Sequence, residues 1–170
     1  MKATKYFIFF IVIIAITFFI FLKKKQINSS ERIKIYRFEK TLFNTNHEKI
    51  EDDILQWKKE LGTFFESFNY EILRTNSNNE NYKEDVLTFI SHPDMREAYD
   101  TLLKKYQNIE FLEIELANSF AIYKKNFPDK KVPKVITYFS GFNFGVATND
   151  TFLVIGLDYF LGENCSFYKR

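Results

Sequence analysis

The chain has 170 residues and a mass of 20.4 kDa, which leaves room for one core after a targeting segment and excludes a multidomain enzyme. Its net charge of +2 hides an asymmetry. Five of the 24 basic residues (Lys2, Lys5, Lys23, Lys24, Lys25) fall in the first 25 positions, which hold no acid, so the remainder carries 19 basic against 22 acidic residues, or −3. With no basic stripe evident in that remainder, nucleic acid is excluded as a partner, because phosphate contacts need clustered Lys or Arg. Five Gly and three Pro against 21 Phe and 10 Tyr predict a helix-rich, aromatic-packed fold.

Tyr6 to Leu22 is an unbroken run of 17 residues, apolar apart from Thr17; as a helix it would extend about 26 Å, just enough to span a bilayer. A cleaved secretory signal needs a small-residue cleavage site and a lipoprotein signal needs a Cys directly after the apolar run. Lys23-Lys24-Lys25 stands there instead, so the sequence predicts an uncleaved anchor over 1–25. The flanking charges, with Arg32, Lys34 and Arg37 close beyond, lean toward a cytoplasmic body by the positive-inside rule. Residues 26–32 form a polar link, and 33–170 read as a single α+β domain.

Ile33 to Phe38 alternates partly at period two and reads as a strand; a short helix or turn with Leu42 and Phe43 follows. From Asn46 the spacing of Ile50, Ile54, Trp57 and Leu61 is helical, behind acids suited to a helix N-terminus. Gly62 interrupts. Thr63-x-x-Glu66 fits a capping box, so a second helix should start there and bury Phe64 or Phe65, Phe68 and Ile72. Thr75 to Asn81 is a surface loop. Tyr82 to Ile90 and Asp94 to Tyr106 read as helices separated at His92-Pro93. Asn108 can cap the longest helix, Ile109 to Phe127, with an apolar stripe of Ile109, Leu112, Leu116, Phe120, Tyr123 and Phe127. After Pro133 the composition turns β-like, over 134–140, 144–148 and 151–157, and Asn149-Asp150 reads as a two-residue hairpin loop of positive φ. The fold class is therefore α+β: a transmembrane helix, a mainly helical body and a small C-terminal antiparallel sheet.

The chemistry on offer is thin. His47 and His92 lie 45 positions apart with no H-E-x-x-H, so zinc has no ligand pair on one helical face. Both read as polar surface or capping residues. Gly141, Gly145 and Gly156 match no phosphate-binding pattern and read as turn and bulge glycines. Ser140-Gly141 is a turn signal, not part of G-x-S-x-G. Asp158 is the one acid placed where a strand ends, with capping of the following turn as its plain role. The lone Cys165 can form no internal disulfide. The sequence thus assigns no catalytic, cofactor-binding or metal-binding residue and no cofactor.

The order of three motifs is specific. Arg37, Phe38, Glu39, Leu42 and Phe43 open the body; Pro128, Pro133, Val135, Thr137, Ser140 and Gly141 follow the helices; Ile155, Gly156, Leu157, Asp158, Tyr159, Leu161, Gly162, Phe167 and Tyr168 come last. Over about residues 33 to 168 this resembles the gliding-motility lipoprotein family GldB of Bacteroidetes. The resemblance implies a non-enzymatic envelope component of the gliding and associated surface secretion machinery, in the inner membrane and facing the periplasm. It also implies a distant kinship to the N-terminal part of zincin-like folds, in which this sheet precedes a metal-binding helix. The lipid-accepting Cys of the family is absent, and the chain looks about half the family's length, so the domain is expected to be truncated at its C-terminal end. A truncated zinc-peptidase-like protein without its metal-binding helix and an unrelated anchored helical adaptor are the alternative functions. Apolar Phe152, Val154, Ile155, Phe160 and Phe167 should then be poorly covered, and 151–168 should self-associate or dock on a partner of the assembly.

Overall fold

The computed structural model describes residues 33–169; the apolar run 6–22 lies outside them. Of the stretch that alternates at period two, only Tyr36–Arg37 pairs as a strand, β1. Phe38 begins α1 (Phe38–Phe43) at once. Asn46 accepts the Glu48 N–H at 3.0 Å and starts the 3-10 turn His47–Lys49, which leads into α2 (Ile50–Leu61). Ile50, Ile54, Trp57 and Leu61 are all buried, as their four-three-four spacing requires.

Gly62, at φ +50°, breaks the axis before α3 (Thr63–Phe68). The helix starts where predicted, but the capping box does not form. Gly62 holds the cap position and its carbonyl accepts the Glu66 N–H at 3.2 Å, so Thr63 is already helical and its side chain caps nothing. A left-handed backbone that Gly alone adopts cheaply has moved the cap one residue upstream. Both Phe64 and Phe65 are buried. α3 runs on into a π-helical turn, Asn69–Leu73, closed by left-handed Arg74. The extra residue of that turn buries Asn69 fully and leaves Ile72 only partly covered.

Helices α4 (Tyr82–Ser91) and α5 (Pro93–Lys105) meet at His92, whose Nδ1 accepts the Asp94 N–H at 3.2 Å. Asn108 Oδ1 takes the Glu110 N–H at 2.7 Å ahead of α6 (Glu110–Asn126). The stripe predicted for this helix meets the core from Ile109, which is buried just ahead of it, as far as Phe120, and leaves the core at its far end. Leu112, Leu116 and Phe120 pack partly against the core, Ala117 alone is fully buried, and Phe127 is exposed.

The sheet departs most from expectation. Strands β2 (Lys134–Tyr138), β3 (Val146–Thr148) and β4 (Phe152–Gly156) lie with β1 in the order β1-β2-β4-β3. β1, β2 and β4 are mutually parallel, and only the β3–β4 pair is antiparallel. The sheet is mixed rather than antiparallel because residues 139–145 carry the chain past the position of β4 to the outer edge. β2, paired on both sides, has four consecutive buried residues, the continuous apolar run of a central parallel strand. The hairpin loop also differs: Asn149 and Asp150 take no positive φ, and the Asn149 side chain closes the turn by accepting the N–H groups of Thr151 (2.8 Å) and Phe152 (2.7 Å).

Phe38 is fully buried at the centre of the core, edge-on to Trp57, Phe64, Phe65 and Phe68 at 5.1–6.1 Å. Phe152 and Ile155, expected to lie uncovered, are buried, with Phe64 against Phe152. Val154 and Phe167 are partly covered and Phe160 is exposed. Among the described residues no helix is long and apolar enough to cross a membrane.

Candidate functional site at the carboxyl ends of the strands

β1, β2 and β4 run the same way, so their carboxyl ends gather at one edge, and two buried polar clusters form there. At the first, Arg37 stands opposite Thr137 in the β1–β2 register. Arg37 Nε donates to Glu39 Oε1 at 2.6 Å, and Thr137 Oγ1 donates to Glu39 Oε2 at 2.8 Å. Glu39 and Thr137 are fully buried. Arg37 Nη1 reaches the Gln107 carbonyl at 3.5 Å, and its Nη2 is buried with no partner.

The second cluster is a clamp built on Asp158. Its Oδ1 accepts the Ser140 N–H at 2.8 Å; its Oδ2 accepts the Ser140 hydroxyl at 3.0 Å and the Phe142 N–H at 2.6 Å. The carboxyl is fully enclosed. Burial pushes its pKa above the ordinary aspartate value, against the lowering effect of those donors. The clamp pulls the loop after β2 into a tight path in which Gly141 and Phe142 both have φ +63°. For Phe142 this is a strained conformation. Packing fixes it: the ring stacks on Phe167 at 5.5 Å and meets Tyr168 edge-on at 5.8 Å. Tyr168 in turn donates its hydroxyl to the Asp158 carbonyl and accepts the Leu161 N–H, both at 2.8 Å. Gly156 lets the loop approach, since a Cβ there would lie 2.1 Å from the Phe144 carbonyl.

Above the clamp the surface is aromatic. Phe144, Val146, Tyr159, Phe160 and Tyr168 are exposed. Gly145 lies against the Tyr159 and Phe160 rings, which meet edge-on at 5.7 Å. Lys105 Nζ and the Tyr106 hydroxyl hold the Phe160 carbonyl at 2.9 and 2.6 Å. Beside the patch, a cleft of about 160 Å³ is lined by Phe64, Phe68, Ile72, Tyr138, Phe144 and Val154. It is too small for a typical cofactor and fits one apolar side chain.

Of the residues singled out in the sequence, Arg37, Ser140, Gly141, Gly156, Leu157, Asp158, Tyr159, Gly162 and Tyr168 come together at this edge or line the turn that follows β4. Phe38 belongs to the core, and Pro133 lies at the opposite ends of the strands, just before β2. Asp158 does more than cap its turn, because its carboxylate ties two strand exits together. What the sequence does not show is the pairing of Glu39 with Thr137, 98 positions apart. His47 lies in the 3-10 turn and His92 caps α5. Among the described residues no three or more His, Cys, Asp or Glu side chains converge as a metal would need.

A family profile described as gliding motility protein GldB matches residues 22–170. The chain belongs to the GldB family. No curated protein and no solved structure matches it, so the kinship to zincin-like folds has no structural support. The GldB match takes in both buried clusters, the aromatic patch and the three motifs, and it ties the chain to gliding motility.

Proposed function

We propose that the chain is a membrane-anchored, non-enzymatic component of the gliding and surface secretion machinery, held in the inner membrane with its body in the periplasm. It docks a protein of that assembly through Phe144, Val146, Tyr159, Phe160 and Tyr168. The observation that carries this reading is the state of Asp158: both carboxylate oxygens are taken up by donors of the Ser140–Phe142 loop. The acid that follows β4 is therefore spent on holding an exposed aromatic surface rigid, as Glu39 after β1 is spent on Arg37 and Thr137, and rigid Tyr and Phe surfaces are typical anchors of protein interfaces.

The test is complementation of a gliding bacterium lacking its GldB-family protein with the full chain. The wild type should fractionate with the inner membrane and restore spreading. Val146→Lys with Tyr159→Ser should abolish spreading while leaving the fold and fractionation unchanged. Ser140→Ala should lower stability and keep function. Normal spreading by the patch variant would remove the docking surface. Complete loss in a folded Ser140→Ala protein would point to chemistry at that hydroxyl, and recovery in the soluble fraction would remove the anchor.

A further inference from the structure

We infer that the opposite edge of the molecule, at the amino ends of the strands, rests on an anionic lipid surface. In the parallel register Tyr36 pairs with Ile136 and Lys134 with Phe152, so the chain comes into the sheet from residues 33–35 beside the start of β2. The apolar run 6–22 is therefore tied to the body at this edge by the ten residues 23–32, which span at most about 36 Å.

The surface there has the composition of a membrane-contacting face. Ile122, Phe127 and Val132 are 42, 53 and 40% exposed. The same helix end and loop carry Lys124, Lys125, Lys130 and Lys131, all exposed, with Asp129 and, across from Lys130 and Lys131, Asp150. The patch is a built surface: Lys124 Nζ binds the carbonyls of Pro128 (2.6 Å) and Lys130 (2.8 Å), tying the loop to the last turn of α6. The Tyr123 and Phe127 rings meet at 5.3 Å. These lysines come from a helix end and the short loop beyond it, within eight positions of one another, and alternate there with the exposed apolar residues. Apolar side chains interspersed with lysines suit the boundary between anionic headgroups and acyl chains.

The inference rests on the anchored reading for its geometry, and the experiment separates the two. The full chain, with Cys165→Ser, carries an environment-sensitive fluorophore on Val132→Cys or, as a control at the far edge, on Tyr159→Cys. It is reconstituted with vesicles of phosphatidylcholine, with or without phosphatidylglycerol, containing lipids that quench the label. The label at 132 should be quenched in the presence of phosphatidylglycerol and the label at 159 should not. Lys125→Gln, Lys130→Gln and Lys131→Gln together should weaken that lipid contact roughly a hundredfold, removing the quenching while the chain still floats with the vesicles. An unquenched label at 132 in a floating chain overturns the inference, as does quenching that the lysine variant does not change. A chain that fails to float with phosphatidylcholine alone overturns the anchor instead, and phosphatidylglycerol-dependent quenching at 132 would still uphold the lipid-facing surface.

Discussion

Gly156 and Asp158 hold the same loop by opposite means, one by having no side chain and the other by saturating one. A methyl group at Gly156 would meet the Phe144 carbonyl at 2.1 Å and Ser140 at 3.0 Å, and main chain has little room to yield. Gly156→Ala should therefore cost about 1–3 kcal/mol, read as a lower Tm of the full chain in detergent. Asp158 gives a pH signature. Burial raises its folded pKa, so over the window above the ordinary value of about 3.9 the native state keeps a proton that the unfolded chain releases. Its contribution is fully present below that window and declines as pH climbs through it, up to the folded pKa. Exposed Glu51, whose pKa is lowered by its bond to Lys83, works in the other direction. The informative quantity is therefore the difference between wild type and Asp158→Asn in urea midpoint across acidic pH. That difference should shrink the wild-type advantage as pH rises, and a flat difference would contradict a raised carboxyl.

Helix ends separate what a linear sequence shows from what it conceals. The break at His92-Pro93 is written locally, because Pro restricts the residue before it and His92 then accepts the Asp94 N–H. His92→Ala should cost about 1 kcal/mol. Thr63-x-x-Glu66 has the pattern of a capping box yet makes no cap, because Gly62 takes that place, and Glu66 is instead used by the Ser77 hydroxyl at 3.2 Å. Thr63→Ala should change stability by less than about 0.5 kcal/mol, and paired thermal melts of the two variants distinguish them. The periods of α2, α4 and α5 were readable because each buries one regular face. The strand pairing was not, since β2 pairs with β4 rather than with β3, the next strand in sequence. The π-helical turn was equally hidden: nothing in Asn69–Leu73 announces an inserted residue, and burial of Asn69 depends on Tyr82, whose hydroxyl donates to it at 2.7 Å. At the site, the Ser140 and Asp158 positions were legible as motif residues, whereas their bond depends on a loop path that only tertiary packing fixes.

At the scale of the whole molecule, the Arg37–Glu39–Thr137 cluster joins the first described segment to the central strand across nearly a hundred residues of intervening helix. Contacts of such separation carry a loop-closure cost that local helix contacts do not, so the cluster has to be stable enough to hold the two ends of that stretch together. Its parts are unequal. The Arg37 side chain is 13% exposed and Glu39 is fully enclosed, so removing the carboxylate alone leaves a guanidinium with one orphaned nitrogen already and two more unpaired or weakly held. Glu39→Ala should cost about 3 kcal/mol or more, because a buried charge loses its partner. Replacing the whole cluster by apolar groups of similar size, Arg37→Met with Glu39→Leu and Thr137→Val, removes the uncompensated charge as well as the bonds. This triple variant should recover most of the loss, since a buried ion pair gains little over well-packed apolar side chains. Denaturant unfolding of wild type, Glu39→Ala and the triple variant decides the matter. A triple variant as unstable as Glu39→Ala would show that the cluster stabilises the fold through its own bonds. Recovery would show that its charges cost as much in desolvation as they return, leaving the parallel β1–β2 register as the feature they specify.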